Sequence, residues 1–182
     1  VIAKIYEDKD MPRDQNGVSA DIIVSSMSIT TRMNVAQLFE LHINRANHIY
    51  TNKILSSNNT VDNKINLLYN MISEVQPHYI NKVFKDTISA WDSNQKIKFL
   101  NRIAKHNIVE IVSPPFAKFN YNDCINFCKK YGEMNESLKE PIEFNNEIID
   151  ASFGDTYWYR LEHEPNKKYF ARSVGVYGKI GQ

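Results

Sequence analysis

An α+β fold is the class this sequence predicts, on three observations. Apolar residues recur at helical spacing in Val35–Tyr50, Val61–Val75 and Ile97–Ala104. Val1–Tyr6 and Ala20–Val24 are strand-like runs, and Tyr157–Gln182 alternates with aromatic residues. Turn signals, Asn16-Gly17 foremost, punctuate the segments.

The elements follow in order. Val1–Tyr6 reads as a buried strand, and Asp10-Met11-Pro12 opens a turn. Asp8 and Asp10 raise the idea of a cation site, but hard cations need oxygens converging from several segments, so a solvated acidic turn is the reading. Ala20–Val24 is the next strand, fit for a covered position. Thr30 or Thr31 then caps a helix whose apolar positions are Val35, Leu38, Phe39, Ile43, Ala46 and Tyr50. Arg32 therefore sits beside a helix N-terminus, where side chain and backbone N–H groups both favour an anion. The competing reading is a solvated surface arginine.

Thr51–Asn59 is polar and reads as a loop. Helices follow over Val61–Val75, stopped by Pro77, over Tyr79–Ile88, and from Asp92 or Ser93 to His106-Asn107. Ile108–Val112 reads as a short strand, broken by Ser113-Pro114-Pro115-Phe116. A helix over Asn122–Tyr131 gathers Cys124, Phe127, Cys128 and Tyr131 on one face, a core stripe rather than a metal site. Pro141–Phe144 and Ile148–Ala151 are strand pieces around a polar turn. A strand from Tyr157, a Pro165-Asn166 turn and a second extended segment complete the chain.

With 182 residues, 42% apolar and 24% charged, the chain can bury a core. Two cysteines build no disulfide framework, which makes an intracellular, cytoplasmic setting the expectation, and no apolar run is long enough to span a bilayer. A formal charge of only +1 argues against gripping nucleic acid unaided; one wall of a larger basic channel fits better. There is no nucleophile elbow, Lys-Ser/Thr phosphate loop or His-Glu-x-x-His, and Gly175, Gly178 and Gly181 lack the strand-to-helix turn of a dinucleotide site.

Two stretches carry a resemblance. Asp10, Met11, Pro12, Asp14, Asn16, Gly17, Asp21, Ile22, Arg32, Met33, Asn34, Gln37, Glu40 and His42 fall, without a gap, on the pattern of the beta (second-largest) subunit of multisubunit DNA-directed RNA polymerase. Leu161, His163, Lys168, Ala171, Arg172, Ser173 and Gly175 match that family's Leu-x-His…Lys-x-His-Ala-Arg-Ser-x-Gly pattern. Ser113–Phe116 resembles its Pro-x-Phe segment more weakly. Ser25-Ser26 and Thr30-Thr31 replace the family's Asn-Pro and Pro-Ser, and Phe170 replaces a histidine. The loose match and the Asn/Ile/Lys-heavy composition resemble divergent enzymes of the type encoded by large phages, acting in a host cytoplasm.

The resemblance implies a hybrid-binding core over 1–50 and 108–182, associated with a double-psi barrel; residues 51–107 carry no motif of the family, and their amphipathic stripes alone suggest a helical insertion. It implies that both ends are cut from a longer subunit, with a Gly-Asn-Lys-Gly segment before and a Pro-Leu-Gly-Gly segment after. Arg32 would touch the triphosphate of the incoming nucleotide (NTP), and Lys167, Lys168, Phe170, Arg172 and Lys179 would face the RNA–DNA hybrid. The chemistry would be two-metal nucleotidyl transfer, with Mg2+ held by another subunit and no metal on this chain. The partners implied are the largest subunit, the rest of the beta subunit, the hybrid and NTP, and the chain alone would be inactive. The alternatives are a non-enzymatic module binding nucleic acid or a polymerase, and a structural assembly piece working through its amphipathic helices.

Overall fold

The structure, a computed structural model, describes residues 2–112, 120–159 and 164–168. Its helices are α1 (Ser26–Thr31), α2 (Val35–Ser56), α3 (Val61–Val75), α4 (His78–Ser89), α5 (Ser93–His106), α6 (Tyr121–Gly132) and the short α7 (Pro165–Lys168). Two strands, β1 (Glu140–Phe144) and β2 (Glu147–Ala151), form an antiparallel hairpin. The class is thus α+β, weighted heavily to helix.

α2 is the axis of the fold. It packs along α6 on one side and against α3 and α5 on the other. The core joins Ile43, Ala46 and Ile54 of α2 to Ile65, Leu68, Met71 and Ile72 of α3, Leu100 and Ile103 of α5, and Cys124, Phe127, Cys128 and Tyr131 of α6. Gly132 lies so close to α2 that a Cβ there would meet the Ala46 Cβ at 3.0 Å.

Local chemistry sets the helix ends. Thr60 accepts from the Asn63 amide at the start of α3. Asp92 and Gln95 form a reciprocal capping box at α5, which Asn107 closes in the left-handed region at φ 53°. Pro77 lies between α3 and α4, and Asn81 donates to the Ser73 and Gln76 carbonyls, fixing that corner. In the hairpin, Asn145 and Asn146 take positive φ of 53° and 63°, the twist a two-residue turn needs. Gly17 follows suit at φ 79°, with its amide bonded to the Asp14 carbonyl.

Four expectations need correction. Of Val1–Tyr6, expected as a buried strand, residues 2–6 are described and have no regular element, the first being the turn of 3-10 helix at Asp8–Asp10, and Ile5 is 84% exposed. Ala20–Val24 likewise forms no strand, and Ile22, Ile23 and Val24 are exposed. A β-branched run becomes a strand only when another strand takes up its backbone groups, and no described strand pairs with either run. Thr51–Asn59 is helical as far as Ser56, because Thr51 is buried with its hydroxyl donating to Asn47 Oδ1, and Ile54 joins the core. Ile108–Val112 is not a strand either. Here a side chain stands in for a partner strand: Asn47 Nδ2 donates to the Val109 carbonyl at 2.6 Å, and its Oδ1 accepts the Val109 amide at 3.3 Å.

That arrangement makes a prediction. Asn47→Ala strands both Val109 backbone groups in a buried place, and the expected loss is about 1–3 kcal/mol in urea unfolding. A loss within about 0.5 kcal/mol of zero would mean that water satisfies them.

Candidate functional site

The sequence motif around Arg32 divides, in the structure, into residues that build and a residue that is left over. Asp14 builds. Its Oδ1 accepts the amides of Asn16 and Val18 at 2.9 and 2.8 Å, holding the Asn16-Gly17 turn shut. Its Oδ2 accepts from Arg45 Nη2 at 2.9 Å, and the same nitrogen donates to Glu140 Oε2 at 2.6 Å. Arg13 pairs through its backbone with Glu143, so the turn also lies against β1. One buried guanidinium therefore ties the N-terminal turn and the hairpin to α2; its side chain is only 6% exposed.

Electrostatics follows from this geometry. Burial pushes the Asp14 carboxyl upward, but the Val18 amide, the Arg45 guanidinium and the Asn16 amide together hold it below its usual value. Burial would weaken the charge on Arg45, and the Glu140 and Asp14 carboxylates more than reverse that. Arg45 Nε and Glu140 Oε1 are buried and bonded to no described group. Nothing in a helical apolar count marks Arg45. Its one sequence signal is a charge placed next to Ala46 on the buried side of α2.

His42, three residues before Arg45 on α2, is buried, with Nδ1 bonded to no described group and its carbonyl accepting from Cys128 Sγ. Burial lowers its pKa from 6.5, so it folds neutral. The unfolded chain then binds the extra proton. Stability from this group is full above about pH 6.5 and is lost as pH falls from there toward the lower folded value. The expected slope is at most ~1.4 kcal/mol per pH unit, and His42→Gln should flatten it in unfolding titrations between pH 7 and 5.

Glu40 also builds. Its Oε1 accepts the Tyr157 amide at 2.9 Å. Asn44 donates to the Asp155 carbonyl at 2.8 Å, His48 pairs with the Asp155 carboxylate at 3.4 Å, and Phe153 lies under the Arg45 guanidinium at 5.1 Å. The His48 contact outweighs burial and lowers the Asp155 pKa. Contacts at Asn44 and His48 come before the contact at Glu40, so residues 153–157 run antiparallel to α2, toward the end where Arg32 lies. Tyr157, Trp158 and Tyr159 are exposed at that end of the segment.

Arg32 is the residue left over. It is exposed, and its guanidinium makes no hydrogen bond or ion pair with a described residue. The cap assignment of Thr30 or Thr31 is corrected. Both close α1, a helix that the sequence reading missed, and Arg32 is its C-cap. Ser28 and Thr31 hold α1 by hydroxyl bonds to carbonyls within it or just before it. Met33 then takes φ 53°, a costly value for a side-chain-bearing residue, and the chain reverses into α2. The N-cap of α2 is Asn34, which makes no side-chain cap bond, and the first turn holds no acidic residue. Arg32 therefore stands three residues before an open helix N-terminus, close to the expected relation but through a different turn.

The C-terminal candidates are less fully placed. Lys167 and Lys168 belong to α7, which takes the place of the expected Pro165-Asn166 hairpin turn, and Lys168 is exposed. Phe170, Arg172 and Lys179 lie outside the described residues, as do Ser113–Phe116 and residues 169–182 of the extended segment expected after the Pro165-Asn166 turn. Tyr157–Tyr159, expected as strand, has no regular element. Among the described residues no three His, Cys, Asp or Glu side chains converge as metal ligands, and no helix is long and apolar enough to cross a membrane.

Comparison with known proteins gives a consistent result. A family model described as RNA polymerase Rpb2, domain 6, matches residues 1–182. The DNA-directed RNA polymerase subunit beta of Mycoplasma pneumoniae is 27% identical over 213 aligned residues, covering 100% of this chain and 15% of that protein. The subunit beta of Rickettsia felis is 25% identical over 188 residues, and that of Ehrlichia ruminantium (strain Gardel) 28% over 189; this chain covers 13% of each. The chain thus spans well under a fifth of the length of these relatives.

Proposed function

The chain belongs to the RNA polymerase Rpb2 domain 6 family, and from that we propose that it works as a wall of a polymerase active centre, where Arg32 binds the triphosphate of the incoming nucleotide. The observation that carries this reading is the state of Arg32: exposed, unpaired among the described residues, and beside an open helix N-terminus. Asp14, Glu40 and His42 of the same motif are spent on architecture; the Arg32 guanidinium is committed to no described residue.

In this reading Arg32 holds the β- and γ-phosphates, aligns the α-phosphate for attack, and stabilises charge on departing pyrophosphate. In the same reading Lys167, Lys168, Phe170, Arg172 and Lys179 face the RNA–DNA hybrid. Phe170 supplies stacking or packing rather than a polar contact. The reaction is nucleotidyl transfer by a multisubunit DNA-directed RNA polymerase in the cytoplasm, with the rest of the beta subunit and the largest subunit as partners and a double-psi barrel alongside. In this reading Mg2+ is held by another subunit, and no step of this chain passes through the metal. The isolated chain is inactive.

The test is elongation by the reconstituted enzyme at limiting NTP. Arg32→Ala should lower kcat/KM by roughly tenfold or more, since a charged hydrogen bond contributes about 1.5–3 kcal/mol and ~1.4 kcal/mol is one decade. Arg32→Lys should restore only part, because lysine presents no planar fork. Unchanged kinetics at limiting NTP would remove the role from Arg32.

A further inference from the structure

A second surface lies on the other side of α2, among the helices that carry no polymerase-like motif. Ile72 of α3, Gln76 just after it, Ile80 and Phe84 of α4, Phe99, Arg102, Ile103 and His106 of α5, and Ile108, Val109, Glu110 and Val112 line a groove of about 400 Å³. Its two long edges differ chemically. On α4 the rim is apolar: Tyr79 and Val83 flank Ile80 and Phe84, Val83 is 66% exposed, and the helix buries only Asn81. An amphipathic helix with its apolar flank in water is an unfinished packing surface.

On α5 the rim is basic. Lys98, Arg102 and Lys105 succeed one another at spacings of four and three, so they share an edge. Ser93–His106 contains no Asp or Glu, and no described carboxylate pairs with these three cations; Lys96, off that edge, is the one held by Asp62. Among the described residues lining the groove, Glu110 is the one carboxylate. Arg102 rests its guanidinium 5.8 Å from the Phe99 ring, which keeps it at the groove mouth.

We propose that this groove receives an acidic amphipathic helix of a partner protein, with its apolar face against Ile80, Val83, Phe84 and Phe99 and its carboxylates along Lys98, Arg102 and Lys105. Nucleic acid matches the basic edge but not the apolar one; an acidic, apolar-faced helix matches both. The inference does not depend on the role given to Arg32.

The experiment uses the whole chain and two fluorescent synthetic peptides, each about sixteen residues long, with the same helical apolar pattern. One carries Glu at its polar positions, the other Lys. Fluorescence anisotropy should give the Glu peptide a Kd on the order of 10 µM and the Lys peptide binding weaker by about tenfold or more. Lys98→Glu/Arg102→Glu/Lys105→Glu, all on one exposed edge, should reverse that preference. Val83→Glu, at an exposed position that folding does not need, should weaken the Glu peptide at least about tenfold, with circular dichroism unchanged. Equal binding of both peptides, or a preference that survives the charge reversal, would overturn the proposal. So would an oligonucleotide that displaces the Glu peptide and is lost with the same three cations, or a Val83-dependent dimer in sedimentation.

Discussion

Arg45→Met is expected to lower stability by about 3–5 kcal/mol, because it leaves the Asp14 and Glu140 carboxylates facing each other with no cation between them. For a chain of this size that is a fall in Tm of roughly 10 °C or more. The loss is structural as well as electrostatic: the guanidinium is the joint through which the Asn16-Gly17 turn and the β1–β2 hairpin meet α2. If the uncompensated charge is the cause, Asp14→Asn with Glu140→Gln should return part of the stability to the Met variant, a coupling that a double-mutant cycle measures. A cost below about 1 kcal/mol for Arg45→Met would show that water reaches the carboxylates. The pH sign is also set. The folded Asp14 carboxyl lies below its ordinary 3.8, so its contribution is complete above that pH and is lost on further acidification.

Gly154→Ala is the second large effect, and its signature is local. A Cβ at this position would stand 2.4 Å from the Leu41 carbonyl oxygen and 3.2 Å from Arg45 Cβ. The first is backbone in the middle of α2 and cannot step aside, so the segment itself must lift. Overpacking of this kind costs about 1–3 kcal/mol. Here it takes with it the Asn44–Asp155, His48–Asp155 and Glu40–Tyr157 contacts. The expected result is faster chymotryptic cleavage at Tyr157–Tyr159 with helical circular dichroism retained. Cleavage at the parental rate would mean that the segment is anchored by something other than its fit to α2.

The helices of the fold were largely legible. Val61–Val75 and Ser93–His106 match their apolar periods and end residues, and the polar turn between two strand pieces became the Asn145-Asn146 hairpin. The errors share one physical cause. Periodicity counts apolar side chains, whereas α2 buries Arg45, Asn47 and Thr51, polar residues satisfied by one another or by distant backbone. A helix that continues through such residues looks like a loop. A strand is harder still to read, since Ile22-Ile23-Val24 has the composition of one and no described partner. The setting of Arg32 was not legible: the bend before it is a short helix, and Met33 after it is left-handed.

The two cysteines lie side by side on α6, at 1% and 0% exposure, on its contact with α2. The thiol of Cys128 is pushed up by its hydrogen bond to Cys124 and by burial, so it is a poor nucleophile while the fold is closed. With no third cysteine in the chain, alkylation has nothing else to report. The rate at which a dilute maleimide consumes native protein therefore reads how often α6 parts from α2. The molecule carries its own opening clock at the centre of its core, and any variant described above can be timed by it without adding a probe.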